Sequence, residues 1–220
     1  MMRIIPAINC ENRECVENRF AVLSAIVSES EWGKQPVVHV DISDGIATPV
    51  RTVEDPATVI AARDRLMPHA TVSAHCMTDK AFHVAQKWLS AGALEVFIHL
   101  NAETQTAVPW SDTRYVPVLI PETDYRSAAQ FLAERQVKKA VVLSVIPGRA
   151  GQEFQRDALA VVRFLRKHLG NATIGVDGGM NAKTVQEIRE AGADIAYSAS
   201  AIFSAADPVQ AFRELEQAGV

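Results

Sequence analysis

The sequence predicts an α/β fold, a closed (β/α)8 or TIM barrel, on three observations. Short segments rich in Val and Ile alternate with stretches of helical period from one end of the chain to the other. Ala91-Gly92-Ala93 and Ala191-Gly192-Ala193 each place a glycine after a helix and directly before a strand. The 220 residues, 48% of them hydrophobic and 22% charged, supply one sizeable core, and no linker or low-complexity stretch divides them. Residues 1–220 are therefore expected to form a single domain.

The first strand is expected at Arg3–Ile8, carried by Ile4, Ile5 and Ile8, and the second at Pro36–Ile42, carried by Val37, Val38 and Val40. The third, Ala70–Cys76, precedes a helix at Asp79–Ser90 that Gly92 stops. The fourth strand, Leu94–His99, leads into the weakest unit. Asn101–Tyr115 contains Pro109, Trp110 and Ser111 and shows no sustained helical period, so the fourth helix is expected to be short or absent. The fifth strand, Val116–Ile120, is followed by a helix at Asp124–Arg135, and the sixth, Ala140–Val145, by one at Glu153–Leu169. The seventh, Thr173–Val176, precedes a helix at Ala182–Ala191, and Asp194–Ser198 is the eighth. In a barrel of this kind the active site lies at the carboxyl ends of the strands.

The formal net charge is −4 and no run of Lys and Arg stands out, which argues against nucleic acid or an anionic membrane as partner. The apolar stretch at Met1–Pro6 is too short for a signal peptide, and no later run approaches membrane-spanning length, so a cytoplasmic protein is expected. Three cysteines, Cys10, Cys15 and Cys76, lack paired metal-binding spacing and are expected to be reduced thiols rather than a disulfide framework.

His39 and Asp41 stand two residues apart on the second strand, so strand alternation points both side chains to one face while Val38 and Val40 take the other. His75 and Met77 repeat that spacing on the third strand, with Cys76 directed away toward the helices. Asp177 ends the seventh strand before Gly178-Gly179 and a helix expected to begin near Asn181. Taken singly, each histidine reads as a hydrogen-bonded packing residue and each aspartate as a loop or helix cap, and none proves a ligand. Together, two imidazoles and two carboxylates at a barrel mouth form a mixed nitrogen and oxygen site for one divalent metal ion: Zn²⁺, Fe²⁺, Mn²⁺ or Co²⁺.

A second constellation fits phosphate. Pro147-Gly148-Arg149-Ala150-Gly151-Gln152 follows the sixth strand, Gly178-Gly179 the seventh, and Ser198-Ala199-Ser200 the eighth. Backbone amides there can cradle an anion, and Ser200–Phe203 can form the short extra helix of such barrels. Gly148, Gly151, Gly178, Gly179, Ala199 and Ser200 are the candidate phosphate contacts. Arg149 reads as a solvated loop residue or as a donor that reaches phosphate on loop closure.

The strings His39-Val40-Asp41-Ile42-Ser43-Asp44-Gly45, His75-Cys76-Met77, Ser144-Val145-Ile146-Pro147-Gly148 with Gly151-Gln152-Glu153-Phe154, Val176-Asp177-Gly178-Gly179 and Ser200-Ala201-Ile202-Phe203 resemble the ribulose-phosphate 3-epimerase family. The resemblance implies a ribulose-phosphate-binding barrel acting on a phosphosugar. His39, Asp41, His75 and Asp177 fall on the family's metal ligands, Asp41 and Asp177 on its acid and base pair, and Met77 on a methionine lining its site. The implied reaction interconverts D-ribulose 5-phosphate and D-xylulose 5-phosphate by proton transfer at the third carbon. A homo-oligomer is a further family-level expectation.

The chain also departs from the pattern. Ala7 stands for a usual Ser, Ser43 for a common Met, and Asn101 for a Glu that often follows the family's His, here matched by His99. Ile146 replaces Asn, while Ala150 and Ala199 replace glycines and are expected to crowd the phosphate cradle, as is Ile146. Alternatives are an epimerase for another ketose phosphate such as allulose 6-phosphate, or a non-catalytic phosphosugar-binding relative. A decarboxylase or aldolase of another phosphate-binding barrel is disfavoured because no Lys lies in the motifs.

Overall fold

Eight short parallel strands, each hydrogen-bonded to its sequence neighbours, close into a barrel as β1 returns to pair with β8. They are β1 (Arg3–Ile8), β2 (Val37–Ser43), β3 (Thr71–Met77), β4 (Glu95–His99), β5 (Tyr115–Leu119), β6 (Lys139–Leu143), β7 (Thr173–Asp177) and β8 (Ile195–Ser198). The computed structural model describes residues 2–27, 31–148 and 151–220. Arg149 and Ala150, singled out in the sequence, lie outside the described residues.

The helices are α1 (Arg13–Val27), α2 (Pro56–Leu66), α3 (Ala81–Ser90), α4 (Ala102–Ala107), α5 (Tyr125–Glu134), α6 (Ala158–Leu169), α7 (Ala182–Ala191), α8 (Ser200–Phe203) and α9 (Pro208–Ala218). No described helix is long and apolar enough to cross a membrane. Strands buried on both faces are what a parallel barrel requires, and they explain the near-continuous apolar runs. Outward-facing Val38, Val40, Ile42 and Cys76 join Phe20, Trp88 and Phe212 in the layer between sheet and helices. Inward-facing Ile5, Phe97, Val118, Val141 and Tyr197 fill the barrel itself. Burying one such large side chain contributes about 1.5–3 kcal/mol.

The predicted α4 region resolves into a six-residue helix. Asn101 caps it: its side chain accepts from the Thr104 backbone N–H, and Thr104 Oγ1 accepts from the Asn101 N–H. Such a cap is worth about 1 kcal/mol, which gives Asn101 a structural role. Trp110 Nε1 donates to the Thr104 carbonyl and seals the turn.

Three expectations are corrected. The sixth strand ends at Leu143 rather than Val145: the Ser144 N–H still bonds the Asp177 carbonyl, but the Ser144 carbonyl accepts from the Gln155 N–H instead of a strand neighbour, and its hydroxyl lies 2.7 Å from the carbonyls of Asp177 and Gly178. The following helix begins at Ala158 rather than Glu153, since the Gln155 N–H is bonded to the Ser144 carbonyl and the Phe154 backbone packs on Gly179. Finally, Cys10 and Cys15 form a disulfide, and only Cys76 is a free, buried thiol. The chain reverses between the end of β1 and the first turn of α1, bringing the two Cα atoms to 5.5 Å. Neither strand nor helix period foretells that reversal.

Candidate active site

Strand alternation and cross-strand register assemble the centre. His39 and Asp41 point inward from β2, and β3 pairs in register so that Asp41 lies opposite His75. Asp177 closes the set from the end of β7. One ligand atom from each of these four residues lies within 4.8 Å of all the others. His39 Nε2 is 3.7 Å and His75 Nδ1 3.6 Å from Asp41 Oδ1, and His75 Nδ1 is 3.5 Å from Asp177 Oδ2.

The far nitrogens have their own partners. His39 Nδ1 is 3.0 Å from Ser73 Oγ, and His75 Nε2 is 3.0 Å from His99 Nε2. The rings of Phe97 and Tyr197 pack on His39 at 4.6 and 4.5 Å. Gly175 leaves room for Tyr197: a Cβ there would sit 2.8 Å from the tyrosine Cε2. Deeper in the barrel, Lys139 Nζ pairs with Glu95 at 2.5 Å and lies over the Phe97 ring. That lysine is absent from the walls of the mouth.

The electrostatics describe a site made for a cation. Burial, with His75 and Lys139 adding to it, holds His39 well below the ordinary histidine range, so its imidazole is neutral. Burial also pulls His75 down, yet the carboxylates of Asp177 and Asp41 outweigh it and raise the group to about 9. Asp177 is raised, by burial first and then by the charge of Asp41, while His75 opposes. Asp41 Oδ1 and His75 Nδ1 are buried and make no hydrogen bond. An orphaned buried polar atom costs about 1–3 kcal/mol, and one cation shared by the four residues would satisfy both. The donor set fits a metal.

Above this centre a small cleft opens at the barrel mouth. Asp41, Met77, Gly148, Gly151, Asp177, Gly178, Gly179, Ala199 and Ser200 all line it, so the two constellations of the sequence meet in one cavity. His39 and His75, each 1% exposed, lie buried beside Asp41 and Asp177 and do not themselves line it. Gly148 is held against Thr48, where a Cβ would come within 2.7 Å of the threonine Cβ. Gly179 takes φ of +68° and packs on the backbone of Phe154.

The departures resolve unevenly. Ala7 and Ser43 are fully buried and do not line the cleft. Ile146 is 58% exposed, so its side chain points to solvent and does not crowd the cradle, while its carbonyl accepts from Gln152 Nε2. Ala199 does face the cleft. Sequence reasoning missed Asn9, which lines the cleft with its Nδ2 3.5 Å from the Gly148 carbonyl, and gave no role to Ser73 or Tyr197. The period-two spacing of Ala7 and Asn9 was the available signal for the first of these.

Comparison with known proteins agrees with this geometry. A family profile described as the ribulose-phosphate 3 epimerase family matches residues 16–203. The ribulose-phosphate 3-epimerase of Mycobacterium leprae is 31% identical over 205 residues, covering 88% of this chain and 86% of that protein. That of Schizosaccharomyces pombe is 28% identical over 185 residues, covering 81% and 78%. Among solved structures, a 3-hexulose-6-phosphate synthase from Salmonella typhimurium superposes with a TM-score of 0.70 at 20% identity, covering 99% of this chain and 98% of its own, a likeness of fold. The chain belongs to the ribulose-phosphate 3-epimerase family.

Proposed function

We propose that this family member interconverts D-ribulose 5-phosphate and D-xylulose 5-phosphate by moving a proton at the third carbon. The observation that carries the reading is the convergence of Asp41 and Asp177, from β2 and β7, on one cleft, each beside the buried imidazoles of His39 and His75. Inverting a carbon requires removing a proton on one face and returning one on the other, so two carboxylates are needed where a single base would only exchange protons. Asp41 and Asp177 are that pair.

His39, Asp41, His75 and Asp177 would hold one divalent ion, with the mixed donors favouring Zn²⁺, Fe²⁺, Mn²⁺ or Co²⁺. When bound, such an ion supplies Lewis-acid polarisation of the sugar carbonyl. The protein does the rest. Backbone at Gly178, Gly179, Ala199 and Ser200, with Gly148 and Gly151 opposite, orients the phosphate. Met77 contributes an apolar wall that keeps water from the carbanionic intermediate.

A second reading, epimerisation of another ketose phosphate such as allulose 6-phosphate, draws on Asn9, whose amide faces the cleft while Ala7 offers no hydroxyl. The test is NMR observation of both sugars with purified protein, with and without added Fe²⁺ or Zn²⁺. Metal-dependent formation of xylulose 5-phosphate supports the first reading. Faster turnover of the hexulose phosphate moves the assignment to the second, and absence of proton exchange with every metal overturns both in favour of a non-catalytic binder.

A further inference from the structure

We infer that Ser73 and His99 are positioning residues that fix the two histidines of the centre in opposite tautomers, so that one presents Nε2 and the other Nδ1 to the ion. The inference rests on the reading of this centre as a metal site. A neutral imidazole carries one N–H and one lone pair, and a ligating nitrogen must offer the lone pair. The nitrogen of His39 facing Asp41 is Nε2, and the nitrogen of His75 facing Asp41 and Asp177 is Nδ1. The N–H therefore belongs on the opposite nitrogen of each ring, and each of those nitrogens has a partner at 3.0 Å. His39 Nδ1–H donates to Ser73 Oγ, and His75 Nε2–H donates to His99 Nε2.

The barrel builds both contacts. Ser73 is the register partner of His39 across the β2–β3 ladder and is fully buried, so its hydroxyl meets the ring that lies directly opposite. His99 stands two residues beyond Phe97, the register partner of His75 on β4, and therefore on the same inward face. Its ring meets that of His75 edge to face, with centroids 5.1 Å apart. Deleting either partner removes the acceptor that holds the proton on the far nitrogen, so the proton can pass to the ligating one. Loss of such an outer partner commonly weakens metal binding about 10–100-fold.

The experiment titrates the metal-free protein with Co²⁺ in competition with a chromophoric chelator and records the visible spectrum of the bound ion. Variants are His99→Phe, His99→Gln, Ser73→Ala and Ser73→Thr, each checked for native circular dichroism. His99→Phe and Ser73→Ala are expected to weaken Co²⁺ binding about tenfold or more and to shift its absorption bands. His99→Gln, which replaces the acceptor nitrogen with an acceptor oxygen, and Ser73→Thr, which keeps the hydroxyl, are expected to recover most of the affinity. Wild-type affinity and spectrum in His99→Phe and Ser73→Ala would overturn the inference alone. A failure of Gln and Thr to recover what Phe and Ala lose would reduce both residues to packing and overturn it too. A wild-type protein that takes up no Co²⁺ would overturn the metal reading, and this inference with it.

Discussion

Replacing Gly179 by Ala tests the phosphate cradle through packing alone. A Cβ at this position would lie 2.6 Å from Phe154 Cα and 2.7 Å from Phe154 N, and both are backbone atoms that no side-chain rotation can move. The backbone φ of +68° adds its own penalty, about 1–2 kcal/mol for a residue with a side chain in the left-handed region. Relieving the contact means displacing the chain at Phe154, an overpacking cost of about 1–3 kcal/mol. Together these predict a loss of about 2–5 kcal/mol, or a fall in Tm of roughly 5–15 °C for a chain of this size. The displaced segment also carries Gln152, which lines the cleft, and Gln155, anchored to the Ser144 carbonyl, so KM for the phosphosugar should rise more than kcat falls. Thermal unfolding followed by circular dichroism, with steady-state kinetics on the same sample, reads both effects. Gly92→Ala is the control, because its φ is also positive and a Cβ there meets nothing within 4 Å. A Gly179→Ala protein that melts with Gly92→Ala and keeps its KM would refute the reasoning.

Asp41→Asn and Asp177→Asn should each lower epimerisation by about 10²–10⁴-fold with the fold intact; wild-type turnover in either, at matched metal content, would end the two-carboxylate mechanism. Cys10→Ser or treatment with dithiothreitol should lower stability by roughly 2 kcal/mol, as expected for a loop this short, and an unchanged denaturation midpoint would show that the disulfide contributes nothing. Burial pushes the Asp44 carboxyl up, but the backbone N–H groups of Asp79, Ile46 and Ala47 outweigh it and hold the group below the usual aspartate range. A depressed carboxylate stabilises the fold above its unfolded pKa, and that stability is lost as pH falls through the folded value. The Tm advantage of wild type over Asp44→Asn in metal-free protein should therefore shrink below about pH 4, and an advantage that stays constant from pH 7 to pH 3 would contradict the assignment.

Much of the architecture and the centre is a local property of the chain, which is why it is legible in the sequence. Alternation with a period of two puts His39 beside Asp41 and His75 beside Met77 on one face of a strand whatever the rest of the barrel does. Glycine after a helix marks its end because the left-handed cap has no place for a side chain, and Gly192 adopts that cap with φ of 104°. Asp177 followed by Gly178-Gly179 likewise announces the end of a strand. What needed tertiary structure depends on closure and register. Ser73 faces His39 only because β2 and β3 pair residue for residue, and His99 reaches His75 only through the β3–β4 stagger. Tyr197 can lie against His39 because Gly175, on the neighbouring strand, leaves the volume empty. β6 ends early where the Ser144 carbonyl turns to the Gln155 N–H of the following loop, and the reversal after β1 brings Cys10 to Cys15. Periodicity along one segment fixes which way a side chain points. Which group it then meets is set by the pairing offsets of strands far apart in sequence, and no single segment encodes those offsets.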